Sequence, residues 1–426
     1  MVAAARNERA LAATAVFLIG GCLSWTWASH GGGVTPLHLW LVAVPGMAMM
    51  MLATRHLNPA RATLPWLLAI AATLRLLGVA GAPILEDDHY RYLWDGYRLV
   101  EHGTPYGVAP FASFGDSSLP QYAQNLLSGI NNADVPTIYG PVLQALFGLS
   151  HLIAPGQLWP LQSLLSLIDL GMLALLWQLG ARRGAWLYGL CPLVVKEIAF
   201  TAHPDGVMAM LLVIAVLARR KATPNAAIGC GIAAGLAVAA KINAVVALPF
   251  LLWGLSPLAW LAAPLAIGVA YLPFLDGATD FAGLQVFARF WVYNPALFGV
   301  ASAAFGDAAA RKAMVAIFAL IALCLLVRQQ RRPPPTPRLD LLLGALLVCA
   351  PTINPWYLLW SLPFAALYPS RTAWTAAATL PLAYAHDRVL YVLPAWAIVA
   401  QFLPIAVAFL LDCRAARRPR EISTQL

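Results

Sequence analysis

The feature that most constrains this chain is a near-unbroken succession of apolar stretches. Runs of spanning character lie near 11–28, 37–54, 64–81, 158–179, 184–200, 205–219, 225–240, 243–254, 258–275, 311–328, 339–353, 355–370, 372–386 and 390–411. A helix that crosses a bilayer needs roughly 17–25 mostly apolar residues. Of the 426 residues, 61% are hydrophobic and 11% charged, where an average soluble domain carries roughly 25% charged residues. Such a chain cannot cover itself with polar surface, so lipid must be its main solvent. The expected fold is an all-α polytopic membrane protein, a single bundle of about 12–14 transmembrane helices. The first run follows Arg6 and Arg9 and could pass for a signal peptide, but no small-residue cleavage site follows it and many more spans do.

The charge pattern gives an orientation. The net charge is +9, yet no basic stripe with interleaved aromatics is present, so nucleic acid is not an expected partner. The bases instead cluster between apolar runs, the pattern of cytoplasmic loops. With both termini inside, Arg6, Arg9, Arg55, Arg61, Arg182, Arg183, Arg219, Arg220, Lys221, Arg328, Arg331, Arg332, Arg338, Arg371, Arg414, Arg417, Arg418 and Arg420 fall on the cytoplasmic side, 18 of the 27 bases. Thirteen of the 18 acids fall outside, including Asp276, Asp280 and Asp387. That sorting holds only if Ile138–Ala154 lies in the membrane interface rather than crossing it. The expected location is the inner (plasma) membrane. Residues 83–155 form a large outer loop, 276–310 a second one, and 329–338 a stiff proline-rich cytoplasmic linker. The six cysteines are scattered singly with no CxxC or CxxH spacing, which argues against a disulfide framework or zinc ribbon.

The first outer loop opens with Glu86-Asp87-Asp88-His89-Tyr90-Arg91-Tyr92-Leu93-Trp94-Asp95-Gly96-Tyr97-Arg98. Asp88, Arg91 or Tyr92, and Asp95 have helical spacing and could share one face, with Tyr90, Leu93, Trp94 and Tyr97 opposite. Sugar transfer to a hydroxyl needs a carboxylate to take the proton, and a phosphate leaving group needs fixed positive charge or a metal. Clustered carboxylates repel, so one of them holds its proton more tightly. A solvated loop start is the plainer reading, but three adjacent acids followed by four aromatics and a histidine make an odd solvent loop. The acids could also hold a divalent metal ion, though no histidine-rich ligand set demands one.

Further polar groups sit at expected span ends: Lys196-Glu197, His203-Pro204-Asp205, Lys241 and Asn354-Pro355-Trp356-Tyr357. Charges so near hydrocarbon usually mark a pathway or site. Lys196, His203 and Lys241 are candidates for binding a lipid-linked phosphate; alternatively, Lys196 pairs with Glu197 or Asp205, or snorkels. Arg75 and Asp169 lie inside runs and are expected to form an interhelical pair. No Walker motif or GxGxxG before a helix is present, so nucleotide binding has no support.

Asp87-Asp88-His89-Tyr90-Arg91-Tyr92-Leu93-Trp94-Asp95-Gly96, then Gly103-Thr104-Pro105-Tyr106 and Ala109-Pro110, resembles the first outer loop of bacterial GT-C glycosyltransferases, in particular the polyprenol-phosphate-mannose-dependent mannosyltransferases. Pro136-Thr137-Ile138-Tyr139-Gly140-Pro141 is similar to their second interfacial helix start. Pro192-Leu193-Val194-Val195-Lys196-Glu197, His203-Pro204-Asp205, Lys241 and Asn354–Trp360 follow in family order. The resemblance implies two interfacial helices in the first outer loop, a polyprenyl-phosphate-linked sugar donor, a glycan or lipid acceptor and transfer with inversion. It implies that Asp87 or Asp88 supplies the base, Asp87 first, and that Arg91 and Asp95 shape the site. Arg98 could orient the carboxylates or the sugar. Two departures stand out: two spans precede the one leading into the acidic loop, and Gly140 stands where many relatives have proline. A transporter or flippase of a lipid-linked or anionic solute is the alternative, but it would place ionisable groups near the midplane in two related halves. A non-enzymatic partner in an envelope assembly would leave the acid cluster unexplained.

Overall fold

The computed structural model describes residues 2–55, 57, 62–221, 223–275, 281–333, 336–386 and 392–417. Arg61, Asp276, Asp280, Asp387, Arg418 and Arg420, on which part of the charge sorting rests, lie outside the described residues, as do the side chains of Arg6 and Arg417.

The described residues are mostly helical, with no strand among them. The helices run α1 Val2–His30, α2 Pro36–Ala53, α3 Leu64–Val79, α4 His89–His102, α5 Gln121–Gly129, α6 Pro141–Ile153, α7 Trp159–Gln178, α8 Arg182–Gly189, α9 Pro192–Val195 and α10 Asp205–Arg220. The second half adds α11 Pro224–Ala240, α12 Leu248–Leu252, α13 Pro257–Tyr271, α14 Ala282–Phe290, α15 Leu297–Phe305, α16 Asp307–Arg331, α17 Leu339–Cys349, α18 Leu362–Ala365, α19 Arg371–Thr379 and α20 Ala395–Arg417. Among the described residues six helices are long and apolar enough to cross a membrane, or seven if the bent pair Pro192–Phe200 and Asp205–Arg220 counts as one. This is an all-α polytopic membrane protein.

The fourteen predicted runs therefore divide. Those at 11–28, 37–54, 158–179, 258–275 and 311–328 are long helices, and the run at 390–411 holds another that starts at Ala395. The run at 184–200 breaks at Leu190-Cys191-Pro192. The run at 355–370 is a 3-10 turn, Pro355–Trp360, followed by α18; the run at 372–386 is α19 followed by a 3-10 turn, Leu380–Ala385. Prolines 355, 363 and 381 explain the fragmentation, since each removes a backbone donor and blocks the turn before it. The fragments are buried in protein rather than facing lipid, the setting in which non-helical backbone is tolerated at membrane depth. Hydropathy sums burial in either solvent and cannot tell them apart. In the first loop α4 and α6 stand where two helices were expected, and α5 is a third.

Small residues set the close packing that matters for the site. A Cβ at Gly231 or Gly235 would run into the Ala259 or Ala263 carbonyl, so this small-x3-small spacing lets α11 and α13 touch backbone to backbone. Gly96 on α4 likewise abuts the Phe147 carbonyl of α6. Deeper in, Arg75 donates Nε (2.9 Å) and Nη2 (2.6 Å) to Asp169, and Nη1 to the Gly189 carbonyl. Tyr188 donates to the other Asp169 oxygen at 2.7 Å. This ties α3, α7 and α8 together as the pair expected from the sequence.

Asp169→Leu leaves the Arg75 charge buried without its partner and should cost about 3–5 kcal/mol, whereas Arg75→Met with Asp169→Leu should recover most of that loss. Thermal midpoints in detergent measure both. A double variant that melts as low as the single one would contradict this account.

Candidate active site

The chain enters the acidic motif through a strained turn. Leu85 has φ +60°, a left-handed conformation that costs a side-chain-bearing residue about 1–3 kcal/mol and clusters at functional sites. Asp88 then sits at the N-cap of α4 but makes no capping bond, so its carboxylate is directed elsewhere. One amide joins the acids: Asn131 Nδ2 donates to Asp87 Oδ1 and, at 3.2 Å, to Asp88 Oδ1. The loop carrying Asn131 is held by Arg91, which donates to the carbonyls of Val135 (2.8 Å) and Asn132 (2.9 Å). The other Asp88 oxygen faces the Tyr92 hydroxyl at 3.5 Å and His203 Nε2 at 3.7 Å.

These surroundings split the three acids. Burial pushes the Glu86 carboxyl up to about 8, with Lys196 opposing and Asp88 adding to the rise. Burial and then the Asp88 charge raise Asp87, against the Asn131 hydrogen bond. Asp88 would be raised by burial too, but His203, Asn131 and Lys241 more than reverse it and hold it below the usual carboxylate range. Neighbouring carboxyls with separated proton affinities are the usual basis of assigned acid and base roles.

The second part of the site comes from the break between α9 and α10. Residues Lys196–Phe200 form a π-helical turn, a feature frequent at functional sites. Ala202 follows at φ +57°, and the two flanking helical segments are bent by 114°. Lys196 donates to Glu197 Oε2 (3.0 Å) and the Tyr384 hydroxyl (2.6 Å), and Tyr384 donates to Glu197 Oε1 (2.8 Å). His203 Nδ1 lies 3.0 Å from Glu197 Oε2, and its ring stacks on Trp356 at 4.1 Å. Lys196, Glu197 and His203 are all buried.

The third part closes the cluster. Lys241, just past α11, donates to Asp205 at the start of α10, and Trp360 Nε1 donates to the same oxygen at 2.6 Å. The ammonium lies 5.2 Å from the Tyr357 and Trp360 ring centres, and those rings stack at 4.4 Å. The Lys241 side chain is 15% exposed, against 1% for Lys196. Tyr139 stands edge-on to Tyr92 at 5.2 Å, and beside it opens a crevice lined by Tyr106, Thr137, Ile138, Tyr139, Tyr271, Phe281 and Leu284. Gly140 occupies its family-variant position for a structural reason. Its N–H donates to the Ala240 carbonyl at 3.3 Å, which a proline could not do, and a Cβ there would strike the Ala239 carbonyl.

Glu86, Asp87, Asp88, Lys196, His203, Asp205, Lys241, Trp356 and Tyr357 thus form one contiguous cluster, with Tyr139 at its margin. Asp95 does not join it. It is buried, accepts hydrogen bonds from Thr137 and Gln144 (3.0 Å), and ties the 136–140 segment to α4. Asp88 and Asp95 are thus two turns apart on α4 and have separate partners. Arg98 lies one turn further along α4, with a buried, unpartnered Nε. Sequence reasoning missed Asn131 and Tyr384: the first sits in an unremarkable polar loop, and the second inside an apolar run read as a span. Among the described residues no group of three or more His, Cys, Asp or Glu side chains is arranged to hold a metal ion.

Residues 1–257 match the model of a family described as alpha-(1->6)-mannopyranosyltransferase, N-terminal domain. That stretch contains the acidic loop, the broken helix and Lys241, but not Trp356, Tyr357, Trp360 or Tyr384. No curated protein and no solved structure matches the chain.

Because Glu86 binds its proton more tightly in the folded chain than in the unfolded one, it costs stability progressively as pH rises from about 4.5 to about 8 and no more thereafter. Glu86→Gln removes that slope. Wild type and variant should melt together near pH 5 and the variant higher near pH 8.5, read from thermal midpoints; parallel curves would contradict the assignment.

Proposed function

The chain belongs to the alpha-(1->6)-mannopyranosyltransferase family, and on that premise we propose that it transfers a mannosyl unit from a polyprenyl-phosphate carrier to a glycan or lipid acceptor at the extracytoplasmic surface, with inversion. The observation that carries this reading is the pairing of a high-affinity carboxyl with a partly open cation in one cluster. Asp87, like Glu86, has no cationic partner in contact and is raised in proton affinity; it is the one of the two that the Asn131 amide holds in place. Lys241 is the most open of the three cations and is framed by two stacked aromatic rings.

In this scheme the acceptor hydroxyl oxygen attacks the anomeric carbon while its proton passes to Asp87. The bond from the anomeric carbon to the phosphate oxygen breaks, and polyprenyl phosphate leaves with the electron pair. Lys241 meets the charge that develops on the leaving phosphate, exchanging its contact with Asp205 for the phosphate. Tyr357 and Trp360 offer flat apolar faces to the sugar or the first prenyl units. The acceptor enters beside Tyr139, under the segment that carries Phe281 and Leu284. Arg91 acts through the loop that presents Asn131, and Asp95 through the 136–140 segment. The acidic loop, on the side opposite the arginine clusters of the sequence, supports the outer face.

Purified protein in lipid, given synthetic polyprenyl-phosphate-mannose and a panel of acceptors, tests the proposal. Wild type should release polyprenyl phosphate in an acceptor-dependent manner. Asp87→Asn should bind donor but lose roughly 100- to 10,000-fold in kcat, and Lys241→Met should raise the donor KM by roughly tenfold or more. Donor moved between leaflets without being consumed would instead support the flippase reading.

A further inference from the structure

The scheme above gives no task to His203, and unlike Lys196, which is tied to Glu197 and Tyr384, His203 reaches toward the acidic loop. Its ring is sealed, 1% exposed, and lies flat against Trp356 with an interplanar angle of 11°. Both nitrogens face carboxylates: Nδ1 toward Glu197 Oε2 at 3.0 Å, and Nε2 toward Asp88 Oδ2 at 3.7 Å. A neutral imidazole has one N–H and can serve only one of them, whereas the imidazolium serves both. Nε2 is a buried polar atom with no hydrogen-bond partner. The carboxylate it faces is Asp88.

The local backbone aims the ring. Ala202, the residue before it, is held at φ +57°, and the His203 N–H donates to the Glu197 carbonyl at 2.8 Å. Thr201 Oγ1 lies 3.0 Å from Nδ1 and is itself bonded to the Glu197 carbonyl. Leu85 and Asn132, two of the three other described non-glycine residues at positive φ, flank Glu86 and Asn131. Strain is thus concentrated on the segments that carry the acids, their bridging amide and this histidine.

The charged groups around the ring leave it a defined partner. On the broken helix, Lys196 and Glu197 pair with each other and with Tyr384. On the other side, Asp205 is held by Lys241 and Trp360. From the acidic loop, Glu86, Asp87 and Asp88 face the cluster together with the Asn131 amide, and His89 is held neutral because burial pushes it down to about 4. The Tyr92 hydroxyl completes the shell at Asp88.

We propose that His203 is a positioning residue: an imidazolium anchored by Glu197 that keeps Asp88 ionised and pointed beside Asp87, so that the proton leaving the acceptor goes to Asp87. Asp88 then serves as a fixed negative charge that makes its neighbour a stronger base. This rests on the mannosyl-transfer reading, and the experiment separates the two.

The readout is the acid limb of the pH profile of kcat/KM for polyprenyl-phosphate-mannose. His203→Gln removes the cation from both acids, so the limb should move to higher pH by about one unit or more. Asp88→Asn removes the charge that raises Asp87, so the limb should move to lower pH. Opposite shifts are a signature that a loss of packing does not produce. Both limbs unchanged, with wild type active, overturns the inference and leaves the transfer reading intact. Wild type that consumes no donor overturns the transfer reading instead. A second measurement needs neither activity nor a folded variant. In wild type labelled with nitrogen-15 histidine and held in lipid, one of the eight histidine rings should stay doubly protonated at about pH 7.5, above the ordinary histidine value of about 6.5. Every ring neutral at that pH overturns the inference.

Discussion

Charge that is sealed away from water must meet opposite charge or enough hydrogen bonds, and this requirement organises the protein. It is met in two ways. Around Arg75 and Asp169 the account closes: one cation, one anion, and the Tyr188 hydroxyl and Gly189 carbonyl taking the remaining positions. Nothing there is left to react. Around His203 the account stays open. Three basic side chains, Lys196, His203 and Lys241, stand among five carboxyls, Glu86, Asp87, Asp88, Glu197 and Asp205. Asp88, Glu197 and Asp205 contact cations. The surplus falls on Glu86 and Asp87, whose proton affinities burial raises. The site's capacity to take a proton follows from that imbalance.

The imbalance requires elements that are distant in sequence to converge, and small residues and helix breaks make that convergence possible. Gly96 lets α4 lie against α6, which fixes where the acidic motif starts. Gly231 and Gly235 let α11 settle on α13, and Lys241 follows directly at the end of α11. The break between α9 and α10 turns His203 back over Glu197 and places Asp205 at a helix start. A continuous helix would have spread Lys196, Glu197, His203 and Asp205 around its circumference over more than two turns.

Much of this was legible in the residues. The acidic motif, Lys196, His203, Asp205, Lys241 and the Trp356-Tyr357 pair are polar or aromatic groups at the ends of apolar runs, and such groups are costly there unless they are used. The Arg75–Asp169 pair could be read for the same reason. Helical periodicity put Asp95 on one face with Asp88 but could not show that Asp95, two turns along α4, is taken up by Thr137 and Gln144 of the 136–148 segment. The fragmentation of the 355–386 region was hidden because hydropathy scores a buried 3-10 turn and a lipid-facing helix alike. Tyr384 was lost with it, since a tyrosine in an apolar run carries no mark of the lysine and glutamate it will meet.

The cluster is built from two parts of the chain that contribute different things. All of its titratable acids and its three basic groups lie within the stretch that matches the mannopyranosyltransferase family, residues 1–257. The aromatic wall of Trp356, Tyr357, Trp360 and the Tyr384 hydroxyl comes from beyond it. Three of the wall's contacts cross that division: Trp356 on His203, Trp360 on Asp205, and Tyr384 on Lys196 and Glu197. In the proposed transfer the first part supplies the charged groups, while the second supplies the hydrogen bonds that hold Asp205, Lys196 and Glu197 and the flat surface a bound molecule would meet. A change in the wall that keeps the Trp360 and Tyr384 hydrogen bonds can alter what is held without disturbing the acids. Loss of those bonds frees Asp205 and Glu197 to compete for Lys241 and His203, and reaches the chemistry through the same pairing rule that closes the Arg75–Asp169 contact.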